Sequence, residues 1–190
     1  MTRSTIIASV VAFALGGAIG ALALFAPPFT GHETAATPSH PVWNEVQWPF
    51  PVDQWGKGKA FRCKATDCGA EVSLYIRAKI GFCNCKTGVA DDEELTRISD
   101  LNLMGEEPEV LAPGHPIAVA WMKGRSRPYS VAHPFQGERS ALSVAFNDHC
   151  DAIVATVTVA NGQPAAMEPS VIAFLNSKTV IHWAEVTLGL

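Results

Sequence analysis

No Lys or Arg lies between Arg3 and Lys57, and charged residues make up only 17% of the chain. The 14 Lys and Arg are outnumbered by 18 Asp and Glu, for a formal net charge of −4. A nucleic-acid binder meets phosphate with a basic face, so this balance sets nucleic acid aside as a partner. The chain has no G-x-S-x-G, no H-E-x-x-H, no phosphate loop and no dinucleotide fingerprint. Those absences leave serine-hydrolase, zincin and nucleotide chemistry without support. No C-x-x-C-H and no thioredoxin-type C-x-x-C occur either, so neither c-type haem attachment nor a standard dithiol centre is indicated. No cysteine precedes Cys63, so the amino terminus carries no lipid-acylation site. No internal repeat is present.

What the sequence does have begins at residues 6–26, an apolar run without charge in which Ser9 is the polar exception. About 20 apolar residues suffice to cross a bilayer core. Signal-peptide cores are shorter, about 7–15 residues. Ala21-Leu22-Ala23 provides a small-x-small cleavage site that would leave residues 6–20 as such a core. Residues 1–26 therefore read as a transmembrane anchor or a cleaved signal helix. Arg3 places the amino terminus in the cytoplasm and the remainder outside. The expected location is the cell envelope, with the domain periplasmic or extracellular, or secreted if the signal is removed. Gly16 and Gly20 have the spacing of a helix-packing motif, which small residues in an apolar helix also explain.

Residues 27–57 read as a linker that becomes an arm. Pro27, Pro28, Pro38, Pro41, Pro49 and Pro51 oppose regular helix. Trp43, Trp48, Phe50 and Trp55 then crowd a short stretch, and aromatics at this density need burial. They form either an extended arm packed on the domain or an aromatic platform. Trp43, Trp48 and Trp55 are the candidate binding residues.

Residues 58–190 read as one domain. Val72, Leu74, Ile76, Ala78 and Ile80 alternate with Ser73, Tyr75, Arg77 and Lys79, the period of a strand with one buried and one wet face. A shorter strand over residues 60–63 pairs with it across turn-forming residues 66–69. Cys63 and Cys68 would flank that turn. Cys83 and Cys85 follow in a loop, and Cys150 lies far along the chain in Asn147-Asp148-His149-Cys150-Asp151. Outside the cytosol, Cys63, Cys68, Cys83, Cys85 and Cys150 are first of all disulfide candidates, with one thiol left over. A metal site is the alternative: Cys83, Cys85, Cys150 and His149 could ligate copper or zinc. A redox role for the tight C-x-C is the third reading.

Asp91 with Glu94 resembles a capping box, and Leu95, Ile98 and Leu101 give the helix behind it an apolar face. Glu106, Glu107 and Glu109 read as solvated loop. Residues 117–122 and 129–132 read as two strands of a second hairpin. Its expected tip carries Lys123, Arg125 and Arg127, either simply solvated or meeting an anion or lipid headgroup. Leu142, Val144 and Phe146 mark a further strand, and residues 153–159 a central one ending in a turn at Asn161-Gly162. Glu168-Pro169-Ser170 starts a short helix. Residues 179–188 read as a last strand, with His182 as a satisfied core histidine. His149-Cys150-Asp151 alone resembles a nucleophilic arrangement, but strand neighbours point to opposite faces, which keeps His149 from activating Cys150.

The expected fold is α+β: a mainly antiparallel sheet with two short helices, disulfide-stabilised, behind an amino-terminal transmembrane or signal helix. The expected function is an exported, membrane-anchored binding or accessory module acting by surface contact. Catalysis is the less favoured reading and is left open; the module would carry no cofactor and partner an envelope or membrane protein. The alternative is a thiol-based metal-handling or redox protein using Cys83 and Cys85.

Overall fold

The computed structural model describes residues 41–133, 137–160 and 162–190. The expected anchor at residues 1–26, the first part of the linker and Asn161 lie outside the described residues. Among the described residues no helix is long and apolar enough to cross a membrane.

The elements run β1 (Trp43–Val46), β2 (Lys59–Cys63), α1 (Ala65–Cys68), β3 (Val72–Lys79), α2 (Asp92–Ile98), β4 (Glu106–Val110), β5 (His115–Val119), β6 (Met122–His133), β7 (Gly137–Asp148), β8 (Asp151–Val159), α3 (Glu168–Leu175) and α4 (Lys178–Leu188). The strands form one antiparallel sheet in the order β1-β2-β3-β8-β7-β6-β4, with β5 also on β6. The β2–β3 hairpin pairs Cys63 with Val72, and β8 is a central strand, as the sequence pattern implies. The long β6 carries two successive edge partners. Residues 122–126 pair with β5, and Tyr129 onward with β4. Pro128 sits at the changeover. Its carbonyl accepts from Leu111 N–H, so its missing donor faces the same edge and costs the β7 ladder nothing.

Both faces of the sheet are covered. Leu74, Ile76, Val144, Ala155 and Val157 line one face, closed by Val171 and Leu175 of α3 and Val180 and Ala184 of α4. The other face lies under α2 and the turn behind it, through Leu95, Ile98 and Leu101. Asp91 caps α2 by accepting from Glu94 N–H at 2.8 Å, as its spacing implies.

Five expectations are corrected. The alternation in β3 is real, but its polar face is not wet: Arg77 is 2% exposed and Lys79 4%. The turn after β5 is Ala120-Trp121, with Ala120 at φ 51°, so Arg125 and Arg127 lie within β6 and not at a tip. Glu106, Glu107 and Glu109 belong to the exposed edge strand β4 and not to a loop. Residues 179–188 are helical. Val180 and Ala184, four apart, are the buried pair, and Ser177 caps the helix by accepting from Val180 N–H. Period 2 and period 4 coincide at these two positions, which is why alternation suggested a strand. His182, at 79% side-chain exposure, faces solvent 3.9 Å from Glu185.

Two disulfides join Cys63 to Cys68 and Cys85 to Cys150, and Cys83 is the free, buried thiol. The first spans 5 residues and the second 65. Loop-closure entropy then gives the second about 4 kcal/mol of stabilisation against about 2 for the first. In urea melts, replacing Cys85 and Cys150 together with Ala should cost roughly twice what the Cys63, Cys68 double replacement costs.

Candidate functional site

Three charged side chains that water does not reach meet under the second face of the sheet. Arg77 of β3 donates from Nε and Nη2 to both oxygens of Asp100, at 2.6 Å each. Its Nη1 donates to Asp53 Oδ1 at 2.7 Å. Lys79 places Nζ 2.9 Å from Asp100 Oδ1 and donates to the Ser99 carbonyl at 3.2 Å. Asp100 is as deeply buried as its partners. One β3 face thus grips the arm through Asp53 and the segment behind α2 through Asp100.

The charge states follow from these contacts. Burial alone would lower the Arg77 pKa, but the Asp100 and Asp53 carboxylates outweigh it and raise it. For Lys79 burial wins over the attraction of Asp100 and pulls the ammonium below its usual range. Burial pushes Asp53 upward, yet hydrogen bonds from Arg77 and from Trp55 N–H bring it below the ordinary carboxylate value. A depressed carboxylate pKa means this grip is intact above the unfolded-state value of 3.8 and weakens as pH falls through the lower folded-state value.

Above Lys79 the side chains stack alternately. Its Nζ lies 5.6 Å from both the Trp55 and Phe82 rings. Those rings touch at 4.7 Å between centroids, and the Arg97 guanidinium covers Phe82 at 4.6 Å. Arg97 also donates to the Phe82 carbonyl and pairs with Glu94. This stack forms one wall of a cleft of about 580 Å³ that Asn102 and Glu106–Pro108 complete. The cleft is the candidate functional site.

The three candidate tryptophans do not share one platform. Trp43 stacks on Phe174 of α3 at 5.0 Å. Trp48 sits edge-on to Phe50 and Tyr75. Only Trp55 reaches the cleft, where Phe82 brings it next to the loop that holds Cys83 and Cys85. The arm is not an appendage in its first part either, since β1 is the edge strand of the sheet.

The candidate thiols are neighbours in space but not a ligand set. Cys85 and Cys150 are joined to each other. Cys83 donates its N–H to the Cys150 carbonyl at 3.1 Å, and its Sγ lies 3.3 Å from the His149 carbonyl. Burial, with the Glu94 and Asp151 carboxylates nearby, pushes the Cys83 thiol up to about 11, so little thiolate exists at neutral pH. His149 is largely exposed, with Nδ1 3.2 Å from Asp148. Among the described residues no group of three or more His, Cys, Asp and Glu is placed to hold a metal ion. His115 lies 2.6 Å from Glu168 at the foot of α3.

Sequence reasoning missed Arg77, Lys79, Asp100 and Asp53. The available signal was two cations on one face of a strand whose other face is apolar, but that pattern also describes a solvated face. No protein-family model matches the chain, and no curated protein matches it.

Arg77→Met takes the bidentate fork from buried Asp100, leaving it Lys79 as its cation, and should cost about 3 kcal/mol in a urea melt. Arg77→Lys should recover little of this, because one ammonium does not replace a bidentate fork plus a third donor. Alkylation at pH 8 should leave Cys83 unmodified in the folded protein. In denaturant without reductant, mass spectrometry should count one alkylated cysteine per chain.

Proposed function

We propose that the chain is an exported, envelope-held binding or accessory module that acts by surface contact through the cleft beside Trp55. The observation that carries this reading is the state of the charged groups around it. Arg77, Lys79, Asp100 and Asp53 are committed to one another, and Arg97 to Glu94. The walls that remain are indole, phenyl, amide and edge-strand carboxylates, groups that hold a partner without reacting with it. Trp55 and Phe82 are fixed from below by Lys79, so little ordering remains to be done on binding. The partner that fits is an envelope or membrane protein inserting an apolar or aromatic side chain into the cleft. The thiol-based reading has one observation in its favour, the free Cys83 beside the Cys85–Cys150 disulfide. Its burial and high pKa count against it.

A photoreactive residue placed at Asn102 or Glu107 of the full chain, in its own cell envelope, tests the proposal. The expected product is a covalent adduct with one envelope protein, reduced at least tenfold by Trp55→Ala. Adducts that form equally from Lys64, or that Trp55→Ala leaves unchanged, would remove the cleft as the contact surface.

A further inference from the structure

Two turns with strained backbones sit side by side at one end of the sheet. Ala120, between β5 and β6, has φ 51°, and His149, between β7 and β8, has φ 49°. Neither is glycine, so each position holds a left-handed conformation at some cost. The register brings them together, since Lys123 at the start of β6 pairs with Asn147 at the end of β7. Large apolar side chains are exposed at this end of the sheet. Trp121 is 51% exposed, and Ile80, at the end of β3, is 53% exposed.

Basic side chains surround the indole. Lys86, Lys123 and His149 line a hollow of about 230 Å³ with Trp121. Asn176 accepts from Ala120 N–H at 2.7 Å, which sets the start of α4 and Lys178 beside the same turn. Lys86, Lys123 and Lys178 are exposed. Among the described residues the structure gives none of the three an ion-pair partner. The nearby carboxylates are engaged: Asp148 with His149, and Asp151 as acceptor from Gly81 N–H. On α2, Asp92 is held by Arg125 and Gly114 and Glu94 by Arg97. Meanwhile Glu106 and Glu138, both in register with Ala132, mark the opposite end of the sheet. A chain of net charge −4 thus sets three unpaired lysines around a bare indole at one end.

We propose that this end docks on an anionic bilayer surface, with Trp121 at headgroup depth and Lys86, Lys123 and Lys178 facing lipid phosphates. Indole is amphipathic and favours the membrane interface. Lysines near an anionic leaflet are attracted over about a Debye length. Ile80 adds a second apolar contact. The Cys85–Cys150 disulfide fixes the loop carrying Lys86 to the His149 turn, so the patch is preset. A protein cleft partner is not needed for this, because Trp121 and the three lysines lie outside the cleft walls.

The test places the full chain with nanodiscs of phosphatidylcholine alone, or mixed equally with phosphatidylglycerol. Amide exchange is then followed in residues 119–123 and 147–150. The expected result is exchange roughly tenfold slower on the anionic discs, reversed by molar salt and by Lys86→Glu, Lys123→Glu and Lys178→Glu combined. Trp121→Ala should weaken the protection without removing its salt dependence. Inorganic phosphate added without discs should not reproduce it, which separates a bilayer surface from a free anion. Equal exchange on both disc types, protection that survives the triple lysine change, or protection given by phosphate alone would overturn the proposal. The salt arm needs no variant, so a poorly folding mutant leaves the outcome decidable.

Discussion

A guanidinium without access to water must find its carboxylates inside the protein, and Arg77 finds two. Asp100 lies 23 residues away and Asp53 lies 24 residues away in the other direction. Neither could be reached unless the arm before β2 and the turn behind α2 both folded back onto the same face of β3. The network therefore sets where two irregular segments lie. Once they are there, Trp55 and Phe82 are brought together over Lys79 and the cleft exists. The hydrophobic core on the other face would form from its own strands and helices without this arrangement; the cleft would not.

Such a network is not the cheapest way to fill that space. Taking three charges out of water costs several kcal/mol per ion, and well-packed apolar side chains would often be as stable. What the charges add is selectivity. An apolar arm could slide along an apolar face, whereas Asp53 meets only one fork of donors. The second consequence is reach. With Arg77, Lys79 and Arg97 each paired with a carboxylate, no unpaired cation lines the cleft among the described residues. That suits the role proposed for the cleft, holding an apolar side chain of a partner.

Much of the fold was legible because its parts are local. Period 2 in β3, turn residues before it, the Asp91 cap and the Pro169 helix start are each written in a few neighbouring residues. Cys63 and Cys68 flank that hairpin and could face each other, but the spacing alone did not choose their pairing over the alternatives. The rest depends on separation in sequence. Nothing near Arg77 indicates that Asp100 will cover it, so an alternating strand looked wet on one side. Nothing near Cys85 selects Cys150 over Cys83. The α4 error is different in kind: Val180 and Ala184 satisfy a strand and a helix equally, and the Ser177 cap and Gly189 terminator decide it. Of the candidate site, Trp55 and its closeness to the Cys83 loop were readable, while Lys79 and the edge carboxylates across the cleft were not.

The central claim is that Asp53 ties the arm to the sheet through Arg77. Amide hydrogen exchange of Asp53→Asn measures it most directly. Trp55 N–H donates to the Asp53 side chain and Gly56 N–H to the Asp53 carbonyl, at 2.8 and 3.0 Å. The account predicts that residues 48–56 lose protection together, while β3, β7 and β8 keep theirs. An arm that stays as protected as in the parent protein would contradict it, and would mean that aromatic packing alone places Trp55 at the cleft.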